Sequence, residues 1–278
     1  MEITMSNVMH LRDFLRIHRV VHSNSIYLHI YMRFLLPIFL FANTVFGANS
    51  FNSTETVTMY NCPSGCIQNT SVEIFNHNFC ESRLQHNTPP EIYNSITSLA
   101  VTIVPVVSGF PEYHPFYNVA TMFVLNGFAS CYYHYYLTWL GKQADEITMI
   151  LANYYGISGL IYLGYSKSTT RKPLHIFNTL FMYGFLVSNT LIQNDQLFPT
   201  IFGVYIMGTL YMIRRVANKY NAPYKRYLFV SFVGASCWII SEEFCNEYTV
   251  HGHSIWHLLF PLGLYRLILK YDKLREVS

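Results

Sequence analysis

The chain has 278 residues, 51% of them hydrophobic and 17% aromatic, and only 12% are charged. A soluble domain carries roughly a quarter of charged residues, so a soluble globule of this length is disfavoured. The net charge of +3 is too small to indicate a nucleic-acid partner. A mean hydropathy of +0.21 is modest for a membrane protein and implies helices with polar inner faces.

In chain order, Arg33 precedes an apolar run over residues 34–46 that ends in the small pair Gly47 and Ala48. The run is shorter than the roughly 20 residues a spanning helix needs, but it suits the core of a secretory signal. Residues 1–48 therefore read as a leader, with Met32 as an alternative start; an uncleaved anchor would still carry the next segment across the membrane. Residues 49–92 read as a lumenal segment. Asn52 and Asn69 each open a glycosylation sequon there, and Cys62, Cys66 and Cys80 lie nearby.

Seven spans are expected over residues 93–270, at about 93–110, 116–139, 145–165, 174–193, 197–213, 226–243 and 252–270, followed by a short tail at 271–278. The fold class is an all-α membrane protein, a seven-helix bundle. Charge gives its orientation. Of the 14 Lys and Arg beyond the leader, Lys167, Arg171 and Lys172 lie after span three, Arg214, Arg215, Lys219, Lys225 and Arg226 between spans five and six, and Arg266, Lys270, Lys273 and Arg275 at the end. These 12 share one side, which the positive-inside rule makes cytosolic. The N-terminus is then lumenal and the C-terminus cytosolic, in agreement with the sequons.

This topology brings the polar groups of the spans to one level. Ser130 and His134 are four apart on span two and share a helical face. Asp145 follows a Gly141-Lys142 break, expected to be a lumenal turn, and opens span three. His253 and His257 repeat the four-residue spacing at the start of span seven, while His251 falls on another face and reads as solvent-facing. A single histidine in a span is often a satisfied hydrogen-bonding residue, but three imidazoles from two spans at one level read as a ligand set for a catalytic zinc with one open position. Asp145 reads either as a general base, as an orienting partner of a histidine or as a helix cap. Ser130 reads either as an oxyanion donor or as a small residue at a helix contact. Cys131 and Cys237 fall within spans and read as packed thiols.

Ser130-x3-His134, then Gln143-x-Asp145-Glu146 and Met149, with His253-x-x-Trp256-His257, resembles the alkaline ceramidase family over roughly residues 78–270. The family's Phe-His pair is Tyr133-His134 here. The resemblance implies a seven-helix intramembrane zinc amidase that splits ceramide into a sphingoid base and a fatty acid. His134, His253 and His257 would hold zinc, Asp145 would be the base, and Ser130 would stabilise the oxyanion. It also implies a calcium site, for which Asn78, Phe79 (through its carbonyl), Glu81 and Glu91 are the matching residues. Arg83 stands where that family has an asparagine ligand. A guanidinium opposes calcium, and its expected alternative is an ion pair with Glu81 or Glu91. The resemblance further implies a Cys80–Cys245 disulfide; Cys62 and Cys66 are expected to close a small local loop.

The expected partners are the bilayer and a ceramide-like lipid, with no obligate protein partner evident, in the endoplasmic reticulum, Golgi or elsewhere in the secretory pathway. Two other readings belong to the same superfamily. One is a seven-helix receptor similar to the adiponectin receptors, disfavoured by the lumenal N-terminus. The other is a lipid-remodelling protein of glycosylphosphatidylinositol anchors.

Overall fold

The computed structural model describes residues 79–85, 90–191 and 197–277. The leader, both sequons, Cys62, Cys66 and Asn78 lie outside the described residues. The described part belongs to the unit Thr70–Ser278, and its secondary structure is entirely helical. A short helix α1 (Cys80–Leu84) precedes seven long ones: α2 (Ile92–Ser108), α3 (His114–Tyr136), α4 (Trp139–Gly164), α5 (Ser168–Leu191), α6 (Leu197–Tyr220), α7 (Lys225–Glu243) and α8 (Gly252–Asp272). A 3-10 turn, Lys273–Val277, ends the chain. Of the long helices, α4 and α6 are long and apolar enough by themselves to cross a membrane, and α2 is a shorter apolar helix.

Local chemistry accounts for the helix ends. Gly109, at φ 86°, closes α2 in a region that suits glycine. Between α3 and α4 the reversal is at Leu137 and Thr138. Leu137 adopts φ 50° and donates its N–H to Tyr133 O at 2.7 Å; Thr138 caps α4 through Oγ1, which accepts from Gly141 N at 3.2 Å. The expected turn at Gly141-Lys142 is thus displaced by one helical turn, and both residues lie inside α4. Gly141 has a packing role instead: a Cβ there would come within 2.9 Å of Tyr133 Cα. Asp145 accordingly sits in the second turn of α4 and does not cap it.

Packing is sequential, with α2 on α3, α3 on α4, α4 on α5 and α6, and α7 on α8, and α8 returns to α2. Trp256 of α8 reaches Phe202 of α6, ring centroids 6.3 Å apart. One apolar cluster, built on Phe116, Leu160, Leu163, Met212, Val216, Leu267 and Tyr271, fills the end of the bundle where α3 begins and α8 ends. A second, around Ile150, Phe185, Tyr205 and Trp256, fills the middle.

Helices α2 and α5 are inside out by the standards of a water-soluble protein. On α5, Asn178 and Asn189 are buried while Ile176, Phe177, Leu180 and Val187 are exposed. On α2, Asn94, Ser95 and Ser98 are buried while Ile96, Ile103, Val106 and Val107 are exposed. The polar stripes find partners inside: Asn178 Nδ2 donates to Tyr154 O and Ser158 Oγ, both at 3.0 Å, and Asn189 Nδ2 donates to Gln143 Oε1 at 2.8 Å. Continuous apolar outer faces of this extent mark contact with lipid or a large partner.

Candidate metal centre

His134 near the end of α3 and His253 and His257 in the first turns of α8 converge. One ligand atom from each lies within 4.8 Å of the others, and all three rings are buried. The ring centroids are 5.0 Å apart for His134 and His253, 5.2 Å for His134 and His257, and 4.7 Å for His253 and His257. Phe79 lies edge-on to His253 at 4.4 Å and against His134 at 5.5 Å, covering this side of the cluster with an apolar ring.

The surroundings fix which nitrogen is free in two of the three rings, His134 and His257. His134 Nδ1 is 2.5 Å from Glu91 Oε2, so its proton sits there and Nε2 carries the lone pair. Nε2 is buried with no hydrogen-bond partner. His257 Nδ1 lies 3.1 Å from Thr97 Oγ1 and 3.4 Å from Ser98 Oγ. Thr97 already donates to Tyr93 O at 2.7 Å, and Ser98 donates to Asn94 O at 2.7 Å or to Ser130 Oγ at 3.0 Å. Both hydroxyls therefore accept from His257 Nδ1, which again leaves Nε2 free. His253 Nδ1 faces Glu242 Oε1 at 3.7 Å, and neither atom has a hydrogen-bond partner.

An orphaned imidazole nitrogen in a buried cluster is costly unless something binds it. Three imidazoles, two of them hydrogen-bonded through the outer nitrogen and the third facing a carboxylate oxygen at 3.7 Å, suit the donor set of a transition-metal site. The residues fit zinc.

Asp145 and Ser130 flank the cluster. Asn126 Nδ2 donates to Asp145 Oδ1 at 2.8 Å and to its carbonyl at 3.1 Å. The buried Ser130 hydroxyl and the His134 ring both lie close enough to the Asp145 carboxyl to interact with it electrostatically. The structure thus brings together every residue expected at the histidine site.

The residue match of this chain to known proteins bears on that geometry. The profile of the family described as Ceramidase matches residues 73–277. The chain belongs to the ceramidase family. It is 29% identical over 223 residues to mouse alkaline ceramidase 1, covering 69% of this chain and 78% of that protein.

In this ceramidase-family chain the segment before α2 departs from the expected calcium arrangement. Glu81 Oε1 and Oε2 accept from the N–H groups of Tyr93 at 2.9 Å and Asn94 at 3.0 Å, capping the N-terminus of α2. Burial pushes the Glu81 carboxyl up from its ordinary value, against the pull of those two N–H donors. Glu91 Oε1 accepts from Ser82 N at 3.1 Å, and its Oε2 is on His134. The Phe79 carbonyl accepts from Arg83 N at 2.9 Å. Arg83 pairs with neither Glu81 nor Glu91; its Nη2 goes to Glu242, at 2.6 Å from the carbonyl and 3.2 Å from Oε2.

The Cys80–Cys245 disulfide is formed, with a Cα–Cα distance of 5.3 Å. Cys131 and Cys237 are free thiols, and His251 is exposed, as expected. Sequence reasoning missed Asn126, Thr97, Ser98 and Glu242, and it gave Glu91 a different partner. Asn126, eight residues before His134 on the same helix, was the one with a usable signal.

Proposed function

We propose that this chain is an intramembrane amidase that hydrolyses the amide bond of ceramide-type lipids, releasing a sphingoid base and a free fatty acid. The observation that carries the reading is the buried histidine triad with an acid and a hydroxyl beside it. The match to the ceramidase family and to mouse alkaline ceramidase 1 supports the substrate class. Charge bias and the inverted polarity of α2 and α5 support a bundle with all seven long helices in the bilayer and the metal centre near its lumenal face.

Zinc held by His134, His253 and His257 would polarise the amide carbonyl and lower the pKa of a water at its open position. Asp145 takes a proton from the attacking water as its oxygen bonds to the carbonyl carbon. Asn126 holds Oδ1 of Asp145 and so fixes the orientation of the carboxylate toward the water. Ser130 turns its O–H to the carbonyl oxygen as negative charge develops there. The C–N bond then breaks, and Asp145 returns the proton to the departing amine nitrogen. Glu91, Thr97 and Ser98 hold the histidine tautomers throughout. A structural metal clamp, as in a receptor, has no need of the acid and hydroxyl pair.

The reading is tested by purifying the protein with zinc and offering fluorescent ceramide beside a glycosylphosphatidylinositol-anchored reporter. Release of sphingoid base from ceramide, abolished by Asp145→Asn, is the expected result. Turnover of the reporter alone, or ceramide hydrolysis unchanged in Asp145→Asn, would overturn it.

A further inference from the structure

The two outer carboxylates of the metal centre are held in different ways. Glu91 is fully enclosed and in direct contact with His134. Glu242 stands at the C-terminal end of α7, where its Oε2 accepts from Cys80 N at 3.1 Å and from Arg83 Nη2 at 3.2 Å. Its backbone carbonyl accepts from the same Nη2 at 2.6 Å. Its Oε1 points the other way, 3.7 Å from His253 Nδ1, and these two buried atoms are each without a hydrogen-bond partner. A shift of roughly 0.5–1 Å in either side chain brings that pair into hydrogen-bond range. The Cys80–Cys245 bridge ties α1 to the residues just after α7, so Arg83 and Glu242 are kept adjacent covalently.

We propose that Glu242 is the positioning carboxylate of His253, and that Arg83 orients it as a cation built into the chain, with no divalent ion required. The proposal rests on reading the three histidines as a metal centre. Arg83 Nη2 grips both the carbonyl and Oε2 of Glu242, which leaves Oε1 to accept the His253 Nδ1 proton and to set Nε2 as the ligand nitrogen. Among the described residues, the oxygen donors of the segment expected to hold calcium are Glu81, Glu91 and the Phe79 carbonyl, fewer groups than the six to eight oxygens that ion takes, and all three already accept hydrogen bonds. Arg83 adds a fixed positive charge at that place. The family resemblance therefore stops short of this site: zinc retention here is independent of calcium.

The test uses the full chain purified in detergent with its disulfide verified by non-reducing peptide mapping. Zinc retention is followed by chelator competition, with and without calcium, and thermal midpoints are taken for zinc-free and zinc-loaded protein. In the natural sequence, zinc retention should be identical with and without calcium. Glu242→Gln, nearly isosteric, should weaken zinc retention by ~10–100-fold while leaving the zinc-free midpoint unchanged. Arg83→Ala should weaken it in the same direction, and Arg83→Lys should recover part of the loss.

Loss of zinc on removing calcium from the natural sequence would overturn the role given to Arg83. Retention unchanged in Glu242→Gln, or a fall only in its zinc-free midpoint, would overturn the role given to Glu242. Failure of the natural sequence to bind zinc at all would instead overturn the metal centre itself.

Discussion

Where α3 begins and α4 and α8 end, the three helices meet through Phe116, Leu163 and Leu267. At their opposite ends the same helices present His134, Asp145 and the His253–His257 pair. The apolar end satisfies itself by contact and has nothing left over. The polar end is dense with hydrogen bonds, from Glu91, Asn126, Thr97 and Ser98, and still leaves His134 Nε2, on the inner side of the cluster, without a partner. A buried acceptor of that kind is tolerated where a bound ion completes the site. The contrast separates the contacts that hold the bundle together from the groups that could hold a metal.

The comparison is broken most severely by removing a ligand. His257→Ala should take ceramide turnover to the uncatalysed background and zinc content to that of metal-free protein, with helicity by circular dichroism unchanged. Asp145→Asn should keep the metal and lower kcat by ~10²–10⁴-fold, checked by elemental analysis beside turnover. Ser130→Ala should lower kcat by ~10²–10³-fold with KM little altered; an equal loss in KM would make it a packing residue. Glu91→Gln should weaken zinc retention by ~10–100-fold, measured by chelator competition. At the apolar end Leu163→Ala should cost about 2–5 kcal/mol of stability, read as a lowered thermal midpoint, while turnover per folded molecule stays unchanged. A matching loss of turnover there would erase the division between the two ends.

The convergence of the inner residues was legible in the sequence because each carries its own signal. A four-residue spacing places His253 and His257 on one face, and an apolar setting makes His134 and Asp145 conspicuous. The carboxylates behind them were not legible in the same way. Glu91 reaches His134 across 43 residues and Glu242 faces His253 across the α7–α8 connection, separations at which no local pattern operates. The turn was misplaced for a physical reason too. Gly141 is the residue that turn chemistry favours, yet the left-handed position is taken by Leu137, buried between the two helix ends, and Gly141 serves the close approach to Tyr133. Arg83 was read by its nearest acids in sequence, whereas the disulfide brings a distant one, Glu242, nearer.

The central claim is that the histidine triad holds a metal on which amide hydrolysis depends. Zinc titrated back into metal-free protein, with release of sphingoid base from ceramide followed at each addition, tests it most directly. The account predicts no turnover before zinc is added, a rise to a plateau at a single equivalent, and no rise in His257→Ala. Ceramide hydrolysis by the metal-free protein, or a zinc response that survives His257→Ala, would contradict it.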